Sequence, residues 1–281
     1  MRKTGIYLIL FAVVGLFAAC SPIPFKVISY NVRVNSASDG PNRWDCRKQA
    51  SINMIREERP TVFGLQEAQP VHMEYLKANL PEYGCYGVGR EDGVASGEHM
   101  AIFYRTDQVE LLDCGTFWLS QTPDTPSRGW DAMCKRTCTW AKLKMKRSGK
   151  VFVYLNTHLD HVGVEARVRG MELIVSRIKE LAPEGEPVFL TADFNMVATH
   201  EAFDVVRDLL DDARQVAPQS DHRATLNCWD STQVNRADWV IDHIFVRGVN
   251  VENFEVLRDK DYGAPFISDH YPVIMRGTMR R

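Results

Sequence analysis

The chain has 281 residues, of which 45% are hydrophobic and 25% charged, and its formal net charge is −2. That length can bury a sizeable core as one large domain or two small ones, and the composition is that of an ordinary globular protein. A chain this close to neutral has no global field drawing it onto nucleic acid or an anionic membrane, so a tight sequence-independent DNA binder is disfavoured, although a local basic groove is not.

In chain order, Arg2 and Lys3 precede the apolar run IYLILFAVVGLFAA over 6–19. The run is too short to span a bilayer and suits the central part of a secretion signal. It ends in LFAACS, small residues immediately before Cys20, which is similar to a bacterial lipoprotein signal, although Phe17 departs from the usual small or aliphatic residue. Residues 1–20 are therefore read as a signal peptide with Cys20 lipidated, and 21–281 as a single domain outside the cytoplasm, anchored at the membrane. An ordinary secretory signal would place the chain on the same side. Without Arg2 and Lys3, 32 basic residues face 36 acidic ones, a mature charge of −4.

Strands are expected over 25–32, 61–66, 84–89, 99–105, 109–119, 137–146, 151–159, 187–193, 239–247 and 270–276. Helices are expected over 44–58, stopped by Pro60, and over 70–80, 163–182 and 199–211. In the third of these, Val164, Val168, Met171, Val175 and Ile178 form one apolar stripe at spacings of three and four. Many strands with few helices and no strict βαβ alternation predict two mixed sheets packed face to face, with helices outside. Cys46, Cys85, Cys114, Cys134, Cys138 and Cys228 remain after Cys20. An oxidising compartment would allow up to three disulfides; small buried thiols are the simpler reading. No zinc-like spacing is present.

Polar residues recur at the ends of these runs. VISYNVR carries Asn31 and Arg33, VFGLQEA carries Gln66 and Glu67, and VYLNTHLDH carries Asn156, His158 and Asp160. VFLTADFN then brings Asp193 and Asn195, DWVIDHIFV brings Asp242, and ISDHYPV brings Asp269 and His270. A period of two places Asp193 and Asn195 on one side of an extended segment and Phe194 on the other. A carboxylate at the end of a buried strand is costly unless a metal ion, a histidine or a phosphate-bearing ligand accompanies it. One such residue is unremarkable, whereas six runs converging on one rim would build a carboxylate-rich pocket.

The ordered set SYNVR, GLQEA, NTHLDH, TADFN, IDHIF and SDHYP resembles the endonuclease/exonuclease/phosphatase superfamily over residues 25–276. The resemblance implies an α/β fold, a four-layer α-β-β-α sandwich of two mixed β-sheets like that of deoxyribonuclease, and phosphoester hydrolysis dependent on a divalent metal. The expected cofactor is Mg²⁺, with Mn²⁺ as the alternative. By resemblance, Glu67 is the main metal ligand, Asn31 a neutral ligand of metal or phosphate, and Asp269 a second carboxylate. Asp193 would orient the attacking water, Asn195 would donate to the transition-state phosphate, and His270 would contact that phosphate with its ring held by Asp242. His158 would be a second phosphate-contacting histidine and Arg33 a further donor. One metal or two stays open, since Asp193, Asn195 and His270 could hold a second ion. Ala192 and His243 depart from the glycine and tyrosine common in the family.

A nuclease or other phosphodiesterase is ranked first. The alternative is an enzyme acting on small or lipid phosphates (inositol phosphate, sugar phosphate or sphingomyelin-type), and the weakest reading is a catalytically silent binding protein. No protein partner is inferred and the chain is read as a monomer. Trp118, Trp130 and Trp140 with Arg128, Lys135 and Arg136 sit around a loop; aromatics beside cations can stack on bases or sugars, but these are read first as packing the loop and solvating its edge. His161, just past the NTHLD motif, is read either as lining the pocket or as an exposed loop histidine.

Overall fold

The computed structural model describes residues 24–233 and 235–280. The expected signal segment and Cys20 lie outside them. The elements are β1 (Pro24–Asn31), α1 (Trp44–Glu58), β2 (Val62–Gln66), α2 (Pro70–Asn79), β3 (Tyr83–Tyr86), β4 (Ile102–Arg105), β5 (Val109–Trp118), β6 (Thr137–Met145), β7 (Val151–His158) and α3 (Val164–Leu181). They continue as β8 (Val188–Asp193), α4 (Asp204–Arg207), β9 (Asp211–Asp212), α5 (Ala213–Val216), β10 (Gln219–Ser220), β11 (Asp242–Arg247), β12 (Val249–Val256) and β13 (Val273–Met279).

One sheet runs β10-β12-β13-β1-β2-β4-β3 and the other β5-β6-β7-β8-β11-β9. Both are mixed, with β1–β2 and β7–β8 parallel between antiparallel neighbours. Alternation along each strand decides the layers. Phe25 and Val27 of β1, Val62 of β2, Phe152 and Tyr154 of β7, and Phe189 of β8 share the apolar cluster between the sheets. Ile28, Tyr30, Phe63 and Leu65 point the other way, into a cluster with Ile52, Ile55 and Leu76 of α1 and α2. Val153, Leu155, Val188 and Leu190 join Met171, Ile174 and Ile178 of α3. The result is the expected helix–sheet–sheet–helix order. Phe25 stacks on Phe189 at 4.8 Å between ring centroids and meets Phe152 edge-on at 5.1 Å; each such buried ring contributes about 1.5–3 kcal/mol.

Three expectations change. The helix over 199–211 breaks into a 3₁₀ turn and the single turn α4, because Asp211 and Asp212 leave to pair with Val246 and Phe245 at the sheet edge. Strand β12 has no counterpart in the sequence reading: its register shifts between Val251 and Asn253, so the apolar positions change phase within the strand. The last strand begins at Val273 and not at 270, which leaves Asp269 and His270 on an irregular loop. All six cysteines from Cys46 to Cys228 are free thiols.

Candidate active site

The face between the sheets grades from apolar to polar along the strands. In β1 the inward sequence is Phe25, Val27, Ser29, Asn31; in β7 it is Phe152, Tyr154, Asn156, His158; in β8 it is Phe189, Thr191, Asp193. The middle rung is a buried polar network. Gln66 Nε2 donates to Asn156 Oδ1 at 2.6 Å and to Ser29 Oγ at 3.2 Å, Thr191 Oγ1 donates to Asn156 Oδ1 at 3.0 Å, and Asn156 Nδ2 donates to the Leu65 carbonyl at 2.7 Å. Gln66 and Asn156 therefore lie beneath the site and do not line it. The outermost rung is the site. Strand register sets His158 opposite Asp193 and Asp193 opposite Asp242, so three functional groups stand in a row across β7, β8 and β11.

Asp193 is the hub. Its Oδ1 accepts from the Asn195 backbone N–H at 2.9 Å, and its Oδ2 accepts from Asn31 Nδ2 at 2.9 Å. His158 Nε2 and His270 Nε2 stand 3.4 and 3.7 Å from the same Oδ2. Asp193 and Asn195 do share one side, but a turn and not an extended chain brings them together: Asn195 has φ +52°, and Phe194 packs outward against Phe203 and Phe245. Glu67 accepts from Asn31 Nδ2 at 2.9 Å and from the Val34 backbone N–H at 2.8 Å. The Asn31 oxygen accepts from the Arg33 backbone N–H, so in this arrangement its amide nitrogen bridges the two carboxylates. Arg33 lies 3.5 Å from Asp269 and also pairs with Asp39.

His270 Nδ1 donates to Asp242 Oδ2 at 2.9 Å. Burial opposes its positive charge, but Asp242 and Asp193 outweigh that and hold its pKa well above the usual histidine value. His158 moves the other way, its pKa driven well below normal by burial and by the nearby charges of Arg136 and His270. It is therefore neutral, and its Nε2 accepts from Asn195 Nδ2 at 2.9 Å. Burial, reinforced by Asp242, pushes the Asp193 carboxyl up to about 7 against the pull of His270. Burial also raises Asp269. Two adjacent histidines with opposite charge preferences give the site one donor of a proton and one acceptor of hydrogen bonds.

Ligand atoms of Glu67, His158 and Asp193 lie within 4.8 Å of one another, as do those of Asp193, Asp242 and His270. The first set fits a hard divalent cation through the carboxylate oxygens of Glu67 and Asp193, with one imidazole nitrogen of His158 beside them. The second set fits poorly, since Asp242 and His270 already satisfy each other.

The residues open onto a cleft of about 370 Å³, lined by Arg33, Glu67, His158, Asp193, Asn195, Asp269 and His270 on one side. Every sequence-expected site residue except the buried orienting groups Asn31 and Asp242 lines it. The far side holds residues that no motif marked, Arg90, Glu98, Cys134 and Arg136, and His161 joins them at the mouth, the pocket-lining one of its two sequence readings. Arg136 pairs with Asp160 at 3.3 Å and its Nη2 is 3.0 Å from His161 Nδ1, so this arginine leaves the solvated loop the sequence suggested for the wall of the cleft. Trp118 does pack the loop, donating Nε1 to the Arg90 carbonyl. The depth of the site also rests on Arg47, buried and donating to the carbonyls of Val32, Arg33, Asn42 and Ile267, which ties the Arg33 segment to the segment before Asp269. His243 faces away from the cleft, among Phe194, Phe203 and Phe245.

Comparison with known proteins adds an independent line. A model of the Endonuclease/Exonuclease/phosphatase family matches residues 28–270. A family protein of Bacteroides thetaiotaomicron is 37% identical, with a TM-score of 0.86 over 92% of this chain and 99% of that one. A mannosyl-6-phosphatase of Bacteroides thetaiotaomicron VPI-5482 is 36% identical, with a TM-score of 0.85 over 91% of this chain and 100% of that one. The CCR4-Not complex 3'-5'-exoribonuclease subunit Ccr4 of Emericella nidulans is 27% identical over 173 residues, which span 50% of this chain and 25% of that protein.

Proposed function

The chain belongs to the endonuclease/exonuclease/phosphatase family, a family of divalent-metal-dependent phosphoester hydrolases, and from that premise we propose that it is a phosphatase releasing phosphate from a small sugar-like monoester. The observation that carries the reading is the shape of the cleft: about 370 Å³, closed on its far side by charged residues. Among the described residues lining it none is Trp, Tyr or Phe, the groups on which single-stranded bases stack. The 36% likeness to a mannosyl-6-phosphatase over nearly the whole chain supports the same choice. This reverses the order of preference drawn from the sequence, where a nuclease came first. The nuclease reading retains the support of the Ccr4 match, at lower identity over half the chain.

Glu67 and Asp193, with His158 beside them, would hold Mg²⁺ or Mn²⁺; Asn31, whose amide nitrogen donates to both carboxylates, would keep them in place, and Asp269 on the cleft wall would complete the set. A bound divalent ion supplies neutralisation of charge on the non-bridging phosphate oxygens. Asp193, fixed through both oxygens, orients a water for in-line attack and accepts its proton. Asn195 and neutral His158 position the phosphate, and Arg33 adds a charge-assisted hydrogen bond. His270, kept protonated by Asp242, stabilises the developing charge. Cys20 remains the proposed lipid anchor, and among the described residues no helix is long and apolar enough to cross a membrane. Cys20→Ser is expected to move the protein from the membrane fraction to the soluble one.

The deciding experiment is phosphate release by the purified protein with Mg²⁺, with Mn²⁺ and with chelator, using hexose phosphates, inositol phosphates, sphingomyelin and single-stranded RNA and DNA. Metal-dependent hydrolysis of hexose phosphates, lost in Asp193→Asn, is expected. Cleavage of RNA or DNA at a greater kcat/KM than any monoester would return the nuclease to first place.

A further inference from the structure

The wall of the cleft opposite Glu67 is built from outside the recurring strand-end motifs. Its core is the 15-residue connection between β3 and β4, far longer than a hairpin needs. That connection is not slack. Arg90 N–H donates to the Glu98 carbonyl at 3.0 Å, Glu91 N–H donates to the Ser96 carbonyl at 3.0 Å, and Asp92 Oδ1 accepts from the N–H groups of Val94, Ala95 and Ser96. The arms of this small hairpin set Arg90 and Glu98 side by side, with Arg90 Nη1 donating to Glu98 Oε2 at 2.6 Å. Beside them Arg136 is buried and held by Asp160. Lys135 pairs with Glu91 at 3.2 Å and locks the hairpin to the Arg136 segment.

Two buried polar atoms at this end have no hydrogen-bond partner among the described residues: Arg90 Nε, which is 3.4 Å from Glu91 but outside hydrogen-bond geometry, and His158 Nδ1, which is 4.0 Å from Glu98 Oε2. Buried polar groups are rarely left so, and a polar group from outside the protein is the ordinary remedy. Charge decides what kind. Arg90 and Arg136 are each matched by an acid, Glu98 and Asp160, so the wall offers fixed donors and acceptors in balance and not a field for a second anion. Alternating donors and acceptors held rigidly suit vicinal hydroxyls, each of which both gives and takes a hydrogen bond.

We infer that Arg90, Glu98 and Arg136 form the leaving-group subsite and read the hydroxyls of a polyol whose phosphate sits at Asp193 and His270. The inference rests on the reading of the substrate as a compact phosphomonoester. It makes the wall responsible for choosing among phosphomonoesters, while the strand-end residues act on the phosphate common to all of them.

The test measures kcat/KM for mannose 6-phosphate, glucose 6-phosphate, a hexose 1,6-bisphosphate and phenyl phosphate, in the native protein and in Arg90→Lys, Glu98→Gln and Arg136→Lys. Lysine keeps the charge and loses the planar fork, and Glu98→Gln changes shape little; thermal melting checks that each variant folds. The ratio of hexose-phosphate to phenyl-phosphate kcat/KM is expected to fall roughly ten- to a hundred-fold in at least two folded variants, the size of a lost charged hydrogen bond. An unchanged ratio, or equal loss on both substrates, overturns the subsite. A native preference for the bisphosphate that vanishes in Arg90→Lys also overturns it, by showing a second anion site. A native protein that cleaves RNA and no monoester overturns the phosphatase reading itself, a failure visible before any variant is made.

Discussion

Asp193 and His270 occupy the same buried spot with opposite needs, and on the proposed mechanism the pair sets the pH dependence of activity. In the proposed mechanism Asp193 takes the water's proton and must be ionised to do so, and burial holds its pKa up to about 7 in the protein without a cation. Activity should therefore rise with pH on the acid side, with an inflection at or below 7, since a bound cation favours the ionised form. The same mechanism needs His270 protonated, and Asp242 and Asp193 hold its pKa well above the ordinary histidine value. The alkaline loss of activity should then come late. Asp242→Asn removes the largest force raising the His270 pKa, so the alkaline limb should move to lower pH and kcat should fall roughly 10²–10⁴-fold. A pH–rate profile of that variant reads both effects, and an alkaline limb that does not move would take His270 out of the protonated role. These residues were legible in the sequence because each closes or follows a strand-like run. Arg90, Glu98, Arg136 and Arg47 were not, because nothing local distinguishes an arginine in a wall from one in solvent. Only the β3–β4 hairpin and the packing of α1 reveal them.

At the scale of elements, the site depends on the closeness of the two sheets at β2 and β7. Gly64 makes that approach possible: a Cβ there would fall 2.4 Å from Asn156 Oδ1 and 2.5 Å from Thr191 Oγ1. Gly64→Ala should cost about 1–3 kcal/mol of stability by overpacking, read as a lower urea midpoint. It should also lower kcat, because the polar rung it disturbs carries Asn31, His158 and Asp193 above it. A variant of native stability and activity would mean the sheets part without consequence. The sequence reading found the central strands and three of the helices, whose periodicity is undisturbed. It missed β12, where the bulge between Val251 and Asn253 shifts the alternation, and it overextended the fourth helix, where an edge pairing of two aspartates outweighs local propensity.

For the whole molecule, folding and metal binding are linked through one cleft. Carboxyls from the end of β8, the residue just after β2 and the loop before β13 are brought together by the packing of both sheets, so an ion binding there binds the folded chain and not the unfolded one. Mg²⁺ or Mn²⁺ at a hundred times its Kd should stabilise the protein by about 2.7 kcal/mol, and chelator should remove that gain. Glu67→Ala should abolish the metal-dependent rise in melting temperature. Persistence of the rise in that variant would place the ion elsewhere.

Arg33, Glu67 and Asn195 all hold left-handed backbone angles, φ +56°, +60° and +52°, immediately beyond the strands that deliver them. Such angles suit asparagine or glycine and cost longer side chains on the order of 1–3 kcal/mol. At Arg33 and Glu67 the chain keeps the residue that its own backbone resists. Selection of this protein for heat resistance alone would therefore drift toward Asn or Gly at 33 and 67. It would yield a sturdier scaffold with an emptied catalytic rim, and the positions it changed first would mark where function and folding pull apart.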